Sequence, residues 1–244
     1  MSRKKKENYG PNPILMWIFV LVLVVVLFFL VNSSLFNVSS ITVTGNNSIS
    51  SREIIDLSGI DYETNILHVD EETAKQNIET NFFLVVEDIE RTFPTGVVIK
   101  VHERVPVAQI GTINGYYVID ADGITIGLNT VAVDGLTKIY NLGIVAPQGG
   151  QKIVSDSEDK LNGVFRVLEA MDKYGLNEKI TGIDMNDPRK IVLTYENSIT
   201  VKIAGGLTAD DRLKHLEATV EAVKDKLSEG QSINLESSGG YYIG

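Results

Sequence analysis

Cysteine is absent from the 244-residue chain. This excludes disulfides, a thiolate nucleophile and any cysteine-based zinc site. Histidine is scarce, with only His68, His102 and His215 present. None stands at metal-ligand spacing from another and no His-Glu-x-x-His run occurs, so each reads as a surface or packing residue and no metal ligand is assigned. The glycines are scattered through turns. There is no phosphate-cradling loop and no Gly-x-Ser-x-Gly nucleophile elbow. A glycosidase-like carboxylate pair is the one catalytic arrangement that composition leaves open. The nearest candidates have plainer duties. Asp120 and Asp122 bracket a hairpin turn, and Glu71 and Glu72 sit in a helix's first turn, where acids favour the dipole. No catalytic residue, cofactor or small-molecule substrate is assigned.

Basic charge is also lacking, except at one place. Arg3, Lys4, Lys5 and Lys6 stand near the start beside a single acid, Glu7. Setting these aside from the chain's 22 Lys+Arg and 32 Asp+Glu leaves 18 cations against 31 acids, a net of −13. Such a domain has no basic face for nucleic acid and no second, electrostatic hold on an anionic membrane. Its acidity serves solubility.

Residues 14–31 form an unbroken apolar run of 18. At about 1.5 Å per residue it spans roughly 27 Å, close to the hydrocarbon thickness of a bilayer. A soluble amphipathic helix would carry a polar face, and this run has none. A cleaved signal peptide has a shorter apolar core and a small-x-small site, so the run reads as an uncleaved anchor. Four cations precede it and the next cation after it is Arg52, which predicts a cytoplasmic N-terminus with the bulk of the chain outside.

The remainder predicts an α+β protein. Residues 39–44 alternate as a strand, and Gly45-Asn46-Asn47 makes a turn. Ser50 with Glu53 forms a capping box for a short helix ending at Gly59. A loop through Asn65 follows, then a second helix capped by Asp70, with Ala74 and Ile78 inward. Strands over 84–92 and 97–101 flank the turn Phe93-Pro94-Thr95-Gly96. The order is βααββ. The second half predicts a hairpin of 116–119 and 124–128 about Asp120-Ala121-Asp122-Gly123, and a strand over 138–142. A capping box at Ser155 and Glu158 opens a helix that ends near Tyr174 before Gly175. A three-strand meander over 180–186, 190–195 and 199–204 comes next, then a helix capped by Thr208 with Leu213, Leu216, Val220 and Val223 inward. Two short strands, 232–236 and 241–243, complete the series. The expected organisation is a cytoplasmic tail (1–13), a transmembrane helix (14–36), a βααββ module (37–108) and a mixed β-sheet domain with packing helices (109–244).

The run Val101-His102-Glu103-Arg104-Val105-Pro106-Val107-Ala108, taken with Phe36-x-Val38-x-x-Ile41-x-Val43-x-Gly45-Asn46, resembles the FtsQ/DivIB family of division proteins. Asn65-Ile66 and Gly115…Ile119-Asp120…Gly123 extend the resemblance in the same order along essentially the whole chain. It implies a POTRA-like module followed by a β-domain, located in the cell membrane at the division septum, with no enzyme activity. It implies binding to FtsB/DivIC-like and FtsL-like partners outside the membrane, and through them a part in the control of septal peptidoglycan synthesis. The partner's tail would add a strand to the edge formed by Gly240, Tyr241, Tyr242 and Ile243, where unpaired backbone groups await partners. Arg189 matches a position at which the family often meets an acidic partner residue. Two positions depart from the family pattern: Asn234-Leu235-Glu236 stands where Asp-Leu-Arg is common, and Ser237 where an aromatic sometimes follows. Two other readings compete, a membrane-anchored cell-envelope hydrolase using paired carboxylates and a POTRA-type chaperone or translocation factor binding unfolded chains by strand addition.

Overall fold

The computed structural model describes residues 13–145, 147–204, 209–235 and 240–244. The basic tail before Pro13, the expected cap Thr208, Glu236 at the expected end of its strand and Ser237 lie outside the described residues.

Helix α1 (Pro13–Val31) starts on a proline, whose missing N–H costs nothing in a first helical turn. It buries no residue and is long and apolar enough to cross a membrane. Beyond it the chain divides into two compact units. One comprises residues up to Glu79 together with Val85–Glu103, and the other Thr80–Leu84 with Arg104–Gly244.

The first unit has the expected βααββ order. Strand β1 (Ser40–Thr44) is followed by α2 (Ser51–Ser58), α3 (Glu71–Ile78), β2 (Leu84–Thr92) and β3 (Gly96–Glu103). The sheet order is β1-β3-β2, with β1 parallel to β3 from Ser40↔Gly96 to Thr44↔Lys100. Both predicted caps form. The Ser50 hydroxyl accepts from Glu53 N–H, and the Asp70 carboxylate accepts from Thr73 N–H. Gly59 ends α2 in the left-handed region at φ 68°. The stretch expected as a loop at Asn65 is tighter: Ile66–His68 form a 3-10 turn whose first N–H groups include one bonded to the Asn65 side chain. Ile54, Ile66, Ala74, Ile78, Val86, Val97, Ile99 and Val101 are buried.

The second unit is built on a nine-stranded sheet. Its strands are β4 (Ala108–Thr112), β5 (Gly115–Ile119), β6 (Thr125–Asn129), β7 (Thr137–Tyr140), β10 (Ile180–Asp184), β11 (Lys190–Tyr195), β12 (Ile199–Ala204), β13 (Ser232–Leu235) and β14 (Tyr241–Ile243). A small hairpin, β8 (Ile144–Val145) with β9 (Val154–Ser155), stands apart from it. The sheet order is β14-β13-β12-β11-β10-β7-β4-β5-β6. Helices α4 (Glu158–Tyr174), α5 (Ala209–Leu213) and α6 (Leu216–Val223) contribute Val164, Val167, Met171, Leu213, Leu216, Val220 and Val223 to one core with Ile183, Ile191, Leu193, Val201 and Ile233 of the sheet.

Three details correct the sequence reading. The cap of α4 is Ser157, whose hydroxyl accepts from Lys160 N–H. The Ser155 hydroxyl instead donates to the Leu142 carbonyl at 2.6 Å. The single helix expected after 208 is two, α5 and α6, broken at Lys214 and His215, although the four inward residues are all buried as expected. Strand β4 escaped prediction because it is buried through Gln109. That side chain is satisfied by donating to the Val133 and Leu136 carbonyls and accepting from Val133 N–H.

Candidate partner-binding edge

The last two strands form an antiparallel pair with the register Ile233↔Ile243, Asn234↔Tyr242 and Leu235↔Tyr241. On its other side β13 runs parallel to β12, so β13 is interior and β14 is the edge. Ser232 and Gly244 exchange both backbone bonds, N–H to O at 2.8 and 3.0 Å. Antiparallel ladders alternate, so the inward-bonded positions of β14 are Tyr242 and Gly244. The N–H and C=O groups of Tyr241 and Ile243 therefore point away from β13. Among the described residues nothing pairs with them.

Side-chain placement follows the same period of two. Tyr241 and Ile243 share a face, and Ile243 packs against the main core while Tyr241 is exposed. Tyr242 is exposed on the opposite face, opposite Asn234. Its ring leans over Gly244, where an added Cβ would lie 3.5 Å from the ring and 3.0 Å from Asn234 Nδ2. The other end of the sheet differs. The first residue of β6 is covered, with Thr125 N–H donating to the Gln151 carbonyl and Gly150 N–H to the Thr125 carbonyl.

The five site residues predicted from sequence are only partly brought together. Gly240, Tyr241, Tyr242 and Ile243 form one continuous rim. Arg189 lies in the turn before β11, three strands from β14. At about 4.8 Å per strand that is roughly 14 Å away. The pairings Lys190↔Ala204, Ile203↔Leu235 and Leu235↔Tyr241 put Arg189 at the same end of the sheet as Tyr241. Its side chain is 90% exposed, and its Nε donates to Asp187 Oδ1 at 3.2 Å. The Arg189 backbone N–H, and then its guanidinium, hold the Asp187 carboxyl below its ordinary value. Sequence reasoning did not see that this arginine already has a local partner, although an Asp two residues upstream across a proline is a readable sign of such a turn.

Residues that carried the family resemblance have structural work. Gly45 sits at φ 88°, and a Cβ there would meet the Val101 carbonyl oxygen at 1.9 Å. The turn it opens presents the N–H groups of Asn47, Ser48 and Ile49 to the Glu103 carboxylate at 2.7 to 3.0 Å. These bonds, from Ile49 and Asn47 first, lower the Glu103 pKa to about 2. Asn65 accepts from Leu67 N–H and donates from Nδ2 to the carbonyl of Val31, the last residue of α1, at 2.8 Å. Arg104 donates to Asp120 Oδ2 at 2.6 Å, while Asp120 Oδ1 accepts from the Asp122 and Ile124 N–H groups and fixes the β5–β6 turn.

Comparison with known families and proteins agrees with these motifs. Residues 36–104 match the POTRA domain of FtsQ type, and residues 108–236, more than half of the chain, match the C-terminal domain of cell division protein FtsQ/DivIB. The cell division protein FtsQ of Syntrophotalea carbinolica is 37% identical over 203 residues, covering 80% of this chain and 69% of that protein. The cell division protein DivIB of Clostridium tetani is 29% identical over 170 residues, covering 66% of this chain and 62% of that one. For DivIB of Bacillus subtilis the match is 30% over 123 residues, 50% of this chain and 46% of that one. The chain thus spans less than two thirds of the length of the C. tetani and B. subtilis relatives. The extracytoplasmic domain of DivIB from Geobacillus stearothermophilus aligns at a TM-score of 0.34 and 13% identity, over 52% of this chain and 98% of that domain, too loose a likeness to carry an argument. On its matched domains and the order of their motifs, the chain belongs to the FtsQ/DivIB family of bacterial cell division proteins.

Proposed function

We propose that this chain is a non-catalytic, membrane-anchored scaffold of the division machinery, with its basic tail in the cytoplasm and both folded units outside. Its β-domain receives an extended segment of an FtsB/DivIC-like partner, with an FtsL-like protein in the same assembly, and through them it contributes to the control of septal peptidoglycan synthesis.

One observation carries the reading: β14 is an edge strand whose outward N–H and C=O groups, those of Tyr241 and Ile243, have no partner among the described residues. An added strand satisfies them, and the alternation of Tyr241 and Ile243 against Tyr242 gives the partner's side chains two faces to read. Tyrosine is a common anchor at such interfaces. Arg189 extends the surface toward an acidic partner group. To bind it, the guanidinium must leave Asp187, so its contribution is selection of a carboxylate more than raw affinity.

The test is a substitution that removes an outward donor and leaves the internal ladder intact. Tyr241→Pro does this, because the Tyr241 N–H faces away from β13 and proline is tolerated on an edge strand. Loss of one interfacial hydrogen bond with its side chain is expected to weaken partner binding by about 10-fold or more. Unchanged affinity, measured with the full chain in detergent or nanodiscs, would overturn the strand-addition reading.

A further inference from the structure

We infer that the POTRA-type module rests on the membrane surface through an apolar contact made by Leu35, Tyr62, Leu67 and Phe93. The inference depends on the anchor reading of α1 and goes beyond it.

Helix α1 has 19 residues. At 1.5 Å per residue it is about 28 Å long, so no turn of it is left over to stand above a hydrocarbon layer of roughly 30 Å. Val31 therefore lies at the boundary between acyl chains and headgroups. The module is fastened to that point without a linker. Asn65 Nδ2 bonds the Val31 carbonyl at 2.8 Å, and a 3-10 turn (Ser34–Phe36) follows directly. Asn37 bridges Asn65, and Val38 N–H donates to the Thr64 carbonyl at 2.9 Å. Ser39 then ties down the β2–β3 turn. Its N–H reaches the Thr95 carbonyl and its hydroxyl reaches Thr95 Oγ1, both at 2.9 Å.

These bonds hold three segments at one end of the unit: the turn around Leu35, the loop carrying Tyr62 and Leu67, and the turn carrying Phe93. Leu35 is 65% exposed, Tyr62 52%, Leu67 38% and Phe93 58%. Among the described residues of this unit beyond α1, these are its exposed large hydrophobic side chains; Phe82 and Phe83, just before β2, are also exposed and lie within the matched POTRA domain, but they pack with the second unit. The opposite end, reached by following β1 to Thr44, carries Asn47, Ser48 and Glu103 at the surface. An apolar cluster at the end from which a membrane helix leaves is matched to the acyl–headgroup boundary, with tyrosine suited to the headgroup layer. Asp61 and Glu63 lie on the same loop. They repel anionic lipid, so the contact draws on apolar burial and gains nothing from anionic lipid.

The absence of cysteine makes the experiment direct. Single-cysteine variants Leu35→Cys, Leu67→Cys and Phe93→Cys of the full chain, without partners, are spin-labelled in phosphatidylethanolamine/phosphatidylglycerol vesicles. Collision with a water-soluble nickel chelate is compared with collision with oxygen. Leu23→Cys, mid-helix, reports the anchor, and Arg52→Cys, whose side chain is 92% exposed at the start of α2, reports open water. At least two of the three test sites are expected to show nickel collision about fivefold or more below Arg52, with no loss of that protection when neutral lipid replaces phosphatidylglycerol. Each site is read in its own molecule, so one misfolded variant leaves the others informative. If Leu23 is in hydrocarbon but the test sites collide with nickel as freely as Arg52, the contact does not exist and those side chains await a protein partner. A depth that vanishes without anionic lipid contradicts the apolar mechanism. If Leu23 itself is open to nickel, the anchor reading fails and this inference fails with it.

Discussion

The Glu103 carboxylate accepts from three successive backbone N–H groups, and its pKa is held at about 2. A group depressed below its ordinary 4.5 binds its proton more weakly in the folded than in the unfolded chain. Its contribution to stability is complete above pH 4.5 and is lost as pH falls toward 2. Thermal unfolding of the wild type is expected to show a Tm that falls across this window. Glu103→Gln is expected to have a lower Tm at pH 7 and a shallower acid slope, and equal slopes would contradict the assignment. Gly45→Ala is expected to destabilise by at least about 2 kcal/mol in denaturant titration, since it adds both a left-handed backbone strain and a clash with the Val101 carbonyl. Arg104→Ala leaves the buried Asp120 with only its two backbone donors and is expected to cost about 2 to 3 kcal/mol. What sequence could supply at this scale was the local chemistry. Ser50 and Asp70 cap because their oxygens reach N–H groups three residues on. Ser155 looked equally fit to cap α4, but its hydroxyl is drawn to Leu142, 13 residues away, and no local pattern reveals that.

At the scale of elements, periodicity found what is half-buried and missed what is not. The 213, 216, 220, 223 stripe is correct even though the helix breaks within it, because each half keeps its apolar face on the same core. Strand β4 alternates poorly because its first three residues, Gln109 among them, are all buried. The rim at β14 was legible as a short aromatic strand. Its edge position came only through the family resemblance, since sheet order depends on β13 crossing over to pair in parallel with β12, a long-range choice that local patterns do not carry. The turn arginine is a further element-level case. Arg189→Ala is expected to weaken partner binding less than fivefold, about 1 kcal/mol, because the exposed guanidinium must first give up Asp187. That loss is expected to disappear when the acidic residue of the partner is also neutralised. Full additivity of the two changes would separate Arg189 from the interface.

The whole molecule brings together an apolar helix that buries no residue and two units with cores of their own, a POTRA-type unit and a β-domain. Their order was readable because each has a distinct pattern: an 18-residue apolar run, a βααββ order, and then hairpin and meander strands with packing helices after residue 108. The function the order supports is one of position, with a helix that anchors, a module held to the helix end by Asn65, and an open backbone rim on the second unit. The central claim, that this rim takes up a partner's strand, is tested most directly by residue-resolved amide exchange of the full chain with and without a saturating FtsB/DivIC-like partner. The account predicts that the N–H groups of Tyr241 and Ile243 slow by about 100-fold on binding, while that of Tyr242, already paired to β13, changes little. Exchange at Tyr241 and Ile243 that stays as fast in the complex as in the free chain would contradict it.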